Sequence, residues 1–198
     1  MAATGSTPAA PSVVVVGSSA GGVSALSRLL GALPAELGVP VIIVQHLDRR
    51  HPTLLAQVLA RVSAVPVKLA EDGELARPDV AYLARPDHHL LIGPGGRLTL
   101  SHTGLVHFVR PSADVLFEAA AQAYGSRVVA CVLTGTGVDG AEGIAAVKAR
   151  GGVTMAQDPD TAEYPSMPTA AVASGAELVL PLEDIAPAIG ELVTARTP

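Results

Sequence analysis

Three short, almost wholly apolar runs constrain this chain most: VVVV at 13–16, VPVIIV at 39–44 and VVACVL at 128–133. Each leads into a turn rich in glycine or polar residues. A strand reads as a continuous hydrophobic run when both of its faces are covered, which is the situation inside a parallel sheet with helices on either side. Between the runs the period changes. Val23, Leu26, Leu29, Leu30 and Leu33 recur at helical spacing. The chain therefore alternates: strand 13–16, helix 23–33, strand 39–44, helix 53–62, strand 65–69, and later helix 112–124, strand 128–133, helix 140–150, strand 153–156, helix 168–174, strand 178–180 and helix 182–194. Such alternation implies right-handed crossovers and a doubly wound α/β fold, with a mostly parallel sheet flanked by helices. The middle differs. Runs at 81–83, 89–92 and 97–101, separated by PDHH and GPGG, predict antiparallel hairpin material at the sheet's edge. Ser112 is placed to cap the helix that follows, with Asp114 in its first turn.

Tryptophan is absent and aromatics make up 3% of the 198 residues, so the core must be built from Ala, Val, Leu and Ile. No internal repeat or linker divides the chain. One domain over 12–198 is expected, preceded by a flexible tail at 1–11 rich in Ala, Pro, Ser and Thr. The net charge of −5, without a basic run, argues against a nucleic-acid partner. The single cysteine, Cys131, lies within VVACVL and reads as a buried structural thiol. The N-terminus lacks the basic and apolar regions of a secretory signal, and no apolar run approaches the length of a membrane span. A soluble cytoplasmic protein is expected.

In an open parallel sheet, functional groups gather where strands end and helices begin. Here those turns carry GSSAGG after the first strand, QHLDRRHP after the second, and TGTGVDGAEG after the run at 128–133. Together they bring a serine, a histidine and an aspartate to one edge. These are the parts of a hydroxyl nucleophile activated by an imidazole that a carboxylate orients. Gly17 to Gly21 fits G-x-S-x-G with Ser19, not Ser18, in the nucleophile's position. The residues alone leave alternatives open. The turn reads equally as a plain strand-to-helix connection. His46 reads as a surface histidine at a strand end. Asp139-Gly140-Ala141-Glu142 resembles a capping box, in which Asp139 would cap the helix it precedes. A dinucleotide fingerprint is disfavoured because Ser19 stands where its second glycine belongs and Gln45-His46 replace the ribose-binding acid. No H-E-x-x-H or C-x-x-C suggests a metal.

Several motifs in order carry a resemblance. Val16 to Gly22, Val44-Gln45-His46, Arg110-Pro111-Ser112 with Asp114, Leu116 and Phe117, Leu133 to Gly140, Ala156-Gln157-Asp158 and Ser166-Met167-Pro168 are similar to the catalytic domain of CheB-type protein-glutamate methylesterases. The similarity runs from about Val13 to Leu182. It implies a Ser–His–Asp triad of Ser19, His46 and Asp139, with no cofactor and no metal. The implied reaction is hydrolysis of glutamate γ-methyl esters on methyl-accepting chemoreceptor-type proteins, with deamidation of receptor glutamines by the same acyl chemistry. Oxyanion and substrate contacts fall to Ala20, Thr136 and Gly137. Arg110 reads as an exposed charge, or as a contact for an acidic receptor surface. Two positions depart from the family pattern: Thr136 replaces a usual methionine and Ala20 a common threonine. The family usually carries an N-terminal receiver domain, which an eleven-residue tail cannot supply. Phosphorylation control within this chain is therefore not expected. A non-catalytic signalling module, or an esterase with a target outside chemotaxis, is the alternative.

Overall fold

A computed structural model describes residues 12–194. The expected tail at 1–11 lies outside the described residues. In chain order the elements are β1 (Val13–Ser18), α1 (Gly22–Ala32), β2 (Val41–Gln45), α2 (Leu55–Ala60), β3 (Val67–Leu69), β4 (Ala81–Leu83), β5 (His89–Ile92), β6 (Leu98–Ser101), α3 (Ala113–Tyr124), β7 (Val128–Val132), α4 (Ala141–Ala149), β8 (Val153–Gln157), α5 (Ser166–Ala173), β9 (Leu178–Leu180) and α6 (Leu182–Thr194). Seven strands form one sheet in the order β3-β4-β2-β1-β7-β8-β9, and every pairing in it is parallel.

The doubly wound expectation holds, with one correction in the middle. Residues 81–83 belong to the parallel sheet, hydrogen-bonded between β3 and β2, and not to the hairpin. All three are buried, but a run of three residues shows no period from which its partner could be read. The antiparallel hairpin consists of β5 and β6, which make a two-stranded sheet of their own against α3.

Strand alternation sorts the core into two layers. Val14, Val16, Val41, Ile43, Val129 and Cys131 face α1, α2 and α6. Val13, Val15, Ile42, Val44, Val128, Ala130 and Val132 face α3, α4, α5 and the hairpin. Cys131 is fully buried, and burial alone pushes its thiol up to about 12, as expected of a structural cysteine.

The second layer is tight at its upper end. A Cβ on Gly17 would meet the Ala113 Cβ at 2.7 Å, and one on Gly143 would meet the Phe117 Cβ at 2.6 Å. These glycines let β1, α3 and α4 approach closely just below the strand ends. Replacing Gly143 by alanine sets two effects against each other. Helix propensity favours alanine by about 1 kcal/mol, while overpacking a filled core costs about 1–3 kcal/mol. Because Phe117 is fully buried and cannot retreat into solvent, the clash is expected to win. Gly143→Ala should lower stability by about 1–2 kcal/mol in chemical denaturation.

Candidate active site

β1 ends at Ser18 and pairs with β2 on one side and β7 on the other. In register, Ser18 lies opposite Gln45, and Gly17 opposite both Val44 and Val132. The turns that leave these three strands therefore start side by side. Ser18 is fully buried, and its hydroxyl donates to Gln45 Oε1 at 2.7 Å. Ser19 is half-buried, with its N–H on the Thr134 carbonyl at 3.0 Å. Its hydroxyl makes no hydrogen bond among the described residues. Gly21 then turns the chain into α1 with φ of 74°, a left-handed conformation that glycine adopts without penalty.

His46 follows β2, and its N–H bonds the Ser18 carbonyl at 3.0 Å. Its ring Nε2 lies 2.7 Å from Asp139 Oδ2, with the two side chains 13% and 3% exposed. This leaves Nδ1 as the ring nitrogen not engaged by the acid. Of the three residues expected to meet, His46 and Asp139 are in direct contact. Ser19 is tied to the same strand ends by its backbone, with its hydroxyl unengaged.

The surroundings of Asp139 correct the capping-box reading. The N-cap of α4 is Gly140, with φ of 96°, and no side chain caps it. Asp139 instead turns to the N-terminus of α3. Its Oδ1 accepts the Ser112 hydroxyl at 2.6 Å and the Asp114 N–H at 3.2 Å, and its Oδ2 accepts the Ala113 N–H at 2.6 Å. The start of a helix leaves N–H groups unpartnered and favours negative charge. Burial by itself would raise the Asp139 pKa, but the hydrogen bonds from His46, Ser112 and the Ala113 N–H outweigh it and hold the carboxyl down at about 2. Ser112 itself caps α3 as expected, accepting from the Val115 N–H at 3.4 Å.

On the β7 side, Thr134 and Gly135 are strapped to the segment before α5. The Thr134 hydroxyl accepts the Tyr164 N–H at 2.9 Å, the Gly135 N–H donates to the Tyr164 carbonyl at 2.9 Å, and the Gly135 carbonyl accepts the Met167 N–H at 3.0 Å. Gly135 packs directly on the turn that carries Ser19, since a Cβ there would lie 2.8 Å from the Ser19 Cβ. Its N–H is thus unavailable to a substrate. The N–H groups of Ala20, Thr136 and Gly137 donate no hydrogen bond among the described residues. Ala20 is half-buried, and Thr136 and Gly137 are exposed.

With this geometry in view, the similarities to other proteins become decisive. A profile of the family described as CheB methylesterase matches residues 14–189. The chain belongs to the CheB methylesterase family. Against the crystal structure of the Thermotoga maritima CheB methylesterase catalytic domain it has a TM-score of 0.88 and 36% identity, covering 92% of this chain and 99% of that one. It is 42% identical over 187 residues to a protein-glutamate methylesterase/protein-glutamine glutaminase of Moorella thermoacetica, covering 92% of this chain and 44% of that protein. A Cupriavidus metallidurans protein of the same name is 41% identical, with 94% and 56% covered. A Leptospira interrogans protein, provisionally given that name, is 39% identical, with 87% and 90% covered. The chain thus spans about half the length of the second and third relatives and most of the Leptospira one.

Within this CheB domain, two buried glutamines hold the site in ways that sequence reasoning did not identify. Gln45 accepts from Ser18 and donates from Nε2 to the carbonyls of Ser19 at 2.8 Å and His46 at 2.9 Å. Gln157, at the end of β8, accepts the Thr134 N–H at 2.9 Å. Arg110 also requires a correction. Its side chain is 11% exposed, bonded through Nη2 to Asp87 Oδ1 at 2.7 Å and through Nη1 to the carbonyls of His102 and Thr103, so it is no free surface charge. A cleft of about 340 Å³ beside His46 is lined by Arg49, Arg50, Phe108 and Arg110 among others.

Two predictions follow from these bonds. Gln45→Leu would leave the buried Ser18 hydroxyl and the His46 carbonyl without partners, and the Ser19 carbonyl with the Gly22 N–H alone, at a net cost of about 1–3 kcal/mol for each group left unsatisfied. A fall in stability of at least about 2 kcal/mol in urea denaturation is expected, with activity reduced in the protein that remains folded. The second concerns Asp114, whose carboxyl burial and the neighbouring Asp139 charge push up to about 6 against the N–H of Gly143. For an acid raised in the fold, the folded state keeps a proton that the unfolded chain releases near pH 4. The contribution of Asp114 to stability is therefore present below pH 4, falls between about 4 and 6, and stays lost above. Asp114→Asn removes this dependence. Its melting temperature relative to the parent should rise between pH 4.5 and pH 7.5, measured by thermal denaturation at both.

Proposed function

We propose that this chain is a serine hydrolase that removes methyl groups from glutamate γ-methyl esters of chemoreceptor-type signalling proteins, working from Ser19, His46 and Asp139. The observation that carries the reading is the 2.7 Å contact between His46 Nε2 and Asp139 Oδ2, made where the unengaged Ser19 hydroxyl stands on the adjoining strand end. Membership of the CheB methylesterase family and the names of the relatives support the ester substrate.

In this reading, the Ser19 Oγ attacks the ester carbonyl while His46 Nδ1 accepts the hydroxyl proton. Backbone N–H groups of Ala20, Thr136 and Gly137 receive the developing oxyanion. The tetrahedral intermediate collapses, the carbonyl-to-methoxy bond breaks, and His46 returns its proton to the leaving oxygen as methanol departs. Water, deprotonated by the same imidazole, then attacks the acyl-serine, releasing the glutamate carboxylate and restoring Ser19. Asp139 remains ionised throughout and stabilises the imidazolium. A glutamine side chain would enter the same cycle with ammonia as the leaving group. No helix among the described residues is long and apolar enough to cross a membrane. A cytoplasmic setting, where receptor signalling segments are reachable, completes the proposal.

The test is methanol release from a methylated chemoreceptor cytoplasmic fragment, with Ser19→Ala beside the parent. The parent should release methanol, and the variant should lose about 10³-fold or more in kcat. Equal release by both would end the serine assignment. No release by either would leave a binding module or a different ester as the function.

A further inference from the structure

The proposed cycle makes no direct use of Asp114, although this is a carboxylate with 3% side-chain exposure just inside the active edge. Its bonds are the mirror image of those of Asp139. Asp114 lies in the first turn of α3, and its Oδ1 accepts the N–H of Gly143 in the first turn of α4 at 2.7 Å. Asp139 lies just before α4 and accepts the N–H groups of Ala113 and Asp114 in the first turn of α3. Each carboxylate partners the start of the other's helix.

The arrangement matters because Asp139 Oδ2 is shared. The Ala113 N–H and the His46 ring bond the same oxygen, at 2.6 and 2.7 Å. A small rotation of the turn carrying Asp139 would favour one donor over the other. That turn is bounded on its far side by the first turn of α4, which Asp114 holds. The second oxygen, Oδ2 of Asp114, has no hydrogen bond among the described residues, although His107 Nε2 is 3.1 Å away and Glu142 lies close to both. His107, Asp114 and Glu142 form a compact cluster. Its two acids occupy first turns of α3 and α4, where the helix dipoles favour anions and oppose a cation. We therefore read the cluster as an anchor for helix ends and not as a metal centre.

We propose that Asp114 is a positioning residue for the catalytic acid: by clamping the start of α4 it fixes the turn that carries Asp139 and keeps Asp139 Oδ2 directed at His46. The inference rests on the reading of His46 and Asp139 as a catalytic pair. The groups facing Asp114 are Asp139 and Glu142 from the α4 side and His107 from the loop before α3.

The experiment compares Asp114→Ala and Asp114→Asn in the full chain by two readouts. The first is kcat and KM on the methylated fragment. The second is the low-field proton resonance of the His46 ring, assigned by its absence in His46→Gln, which needs no substrate. Alanine leaves the Gly143 N–H without its partner, whereas asparagine still offers it an oxygen. For Asp114→Ala we expect kcat to fall about tenfold or more with KM within about twofold, since displacing a catalytic group by a fraction of an ångström is enough for this. The low-field resonance should broaden or vanish with it. Asp114→Asn should restore the resonance and bring kcat back to within about threefold of the parent. An alanine variant that retains the parent's kcat and resonance overturns the proposal, as does a loss that asparagine fails to rescue. If the alanine protein does not fold, Asp114→Ser, too short to reach Gly143, takes its place under the same criteria. A parent without esterase activity would sink the proposed function, while the resonance would still decide the clamp.

Discussion

The Asp139 carboxylate is the point on which the active edge depends. It receives the His46 ring, the Ser112 hydroxyl and the N–H groups of Ala113 and Asp114, so the acceptor positions of both oxygens are filled by donors from two segments, the turn after β2 and the start of α3. A buried anion without such partners would neutralise itself by taking up a proton. Here the donors reverse that tendency, and the charge persists where the imidazole can use it. The same bonds fix the start of α3 against the turn after β7. The carboxylate is thereby part of the packing between helix and sheet, and the helix is part of the geometry that holds it against His46.

What brings the donors together is the strand order. From β1 the chain moves to β2, out to β3 at the edge and back to β4 between them, then returns past the hairpin and α3 to place β7 on the other side of β1. The direction of winding changes at β1, and an open α/β sheet leaves a crevice above such a point. The turns after β1, β2 and β7 border that crevice. The alternation of side chains decides which residues enter it. Residues 13, 15 and 17 on β1, and 42 and 44 on β2, face the α3 layer. Continuing the parity, Ser19 and His46 fall on that same side, with Asp139 already held by α3.

This parity explains what could be read in advance and what could not. The long apolar runs announce the buried parallel strands, and Ser19, His46 and Asp139 stand out as candidates because a strand's end is recognisable where its apolar run stops. Residues 81–83 were misplaced because three residues carry no period, and the turn-like PDHH after them suggested a hairpin that in fact begins at β5. The partner of Asp139 was misjudged for a different reason. A capping box is a local pattern, whereas the bonds Asp139 makes reach back some 25–27 positions to Ser112, Ala113 and Asp114. The same holds for Gln45 and Gln157. A glutamine after an apolar run carries no signal of its own, and its meaning comes from carbonyls and hydroxyls that only the sheet register brings opposite it. Arg110 looked exposed because the hairpin that covers it with Asp87 and the carbonyls of His102 and Thr103 is distant or irregular in sequence.

The choice between two adjacent serines follows from the same register. β1 remains a strand through Ser18, so that hydroxyl points into the α1 layer, directly across from Gln45. There it donates to the glutamine and is removed from contact with any substrate. The amide it meets is not passive, since Nε2 of the same Gln45 holds the carbonyls of Ser19 and His46. One buried side chain thus takes the first hydroxyl out of reach while tying together the backbone of the second serine and of His46. A serine one position earlier on the strand would share the face of α3 but sit below the rim, against Ala113 and Phe117. Only the first residue beyond the strand combines the face of α3, room above the sheet and a backbone fixed through Gln45 to that of His46.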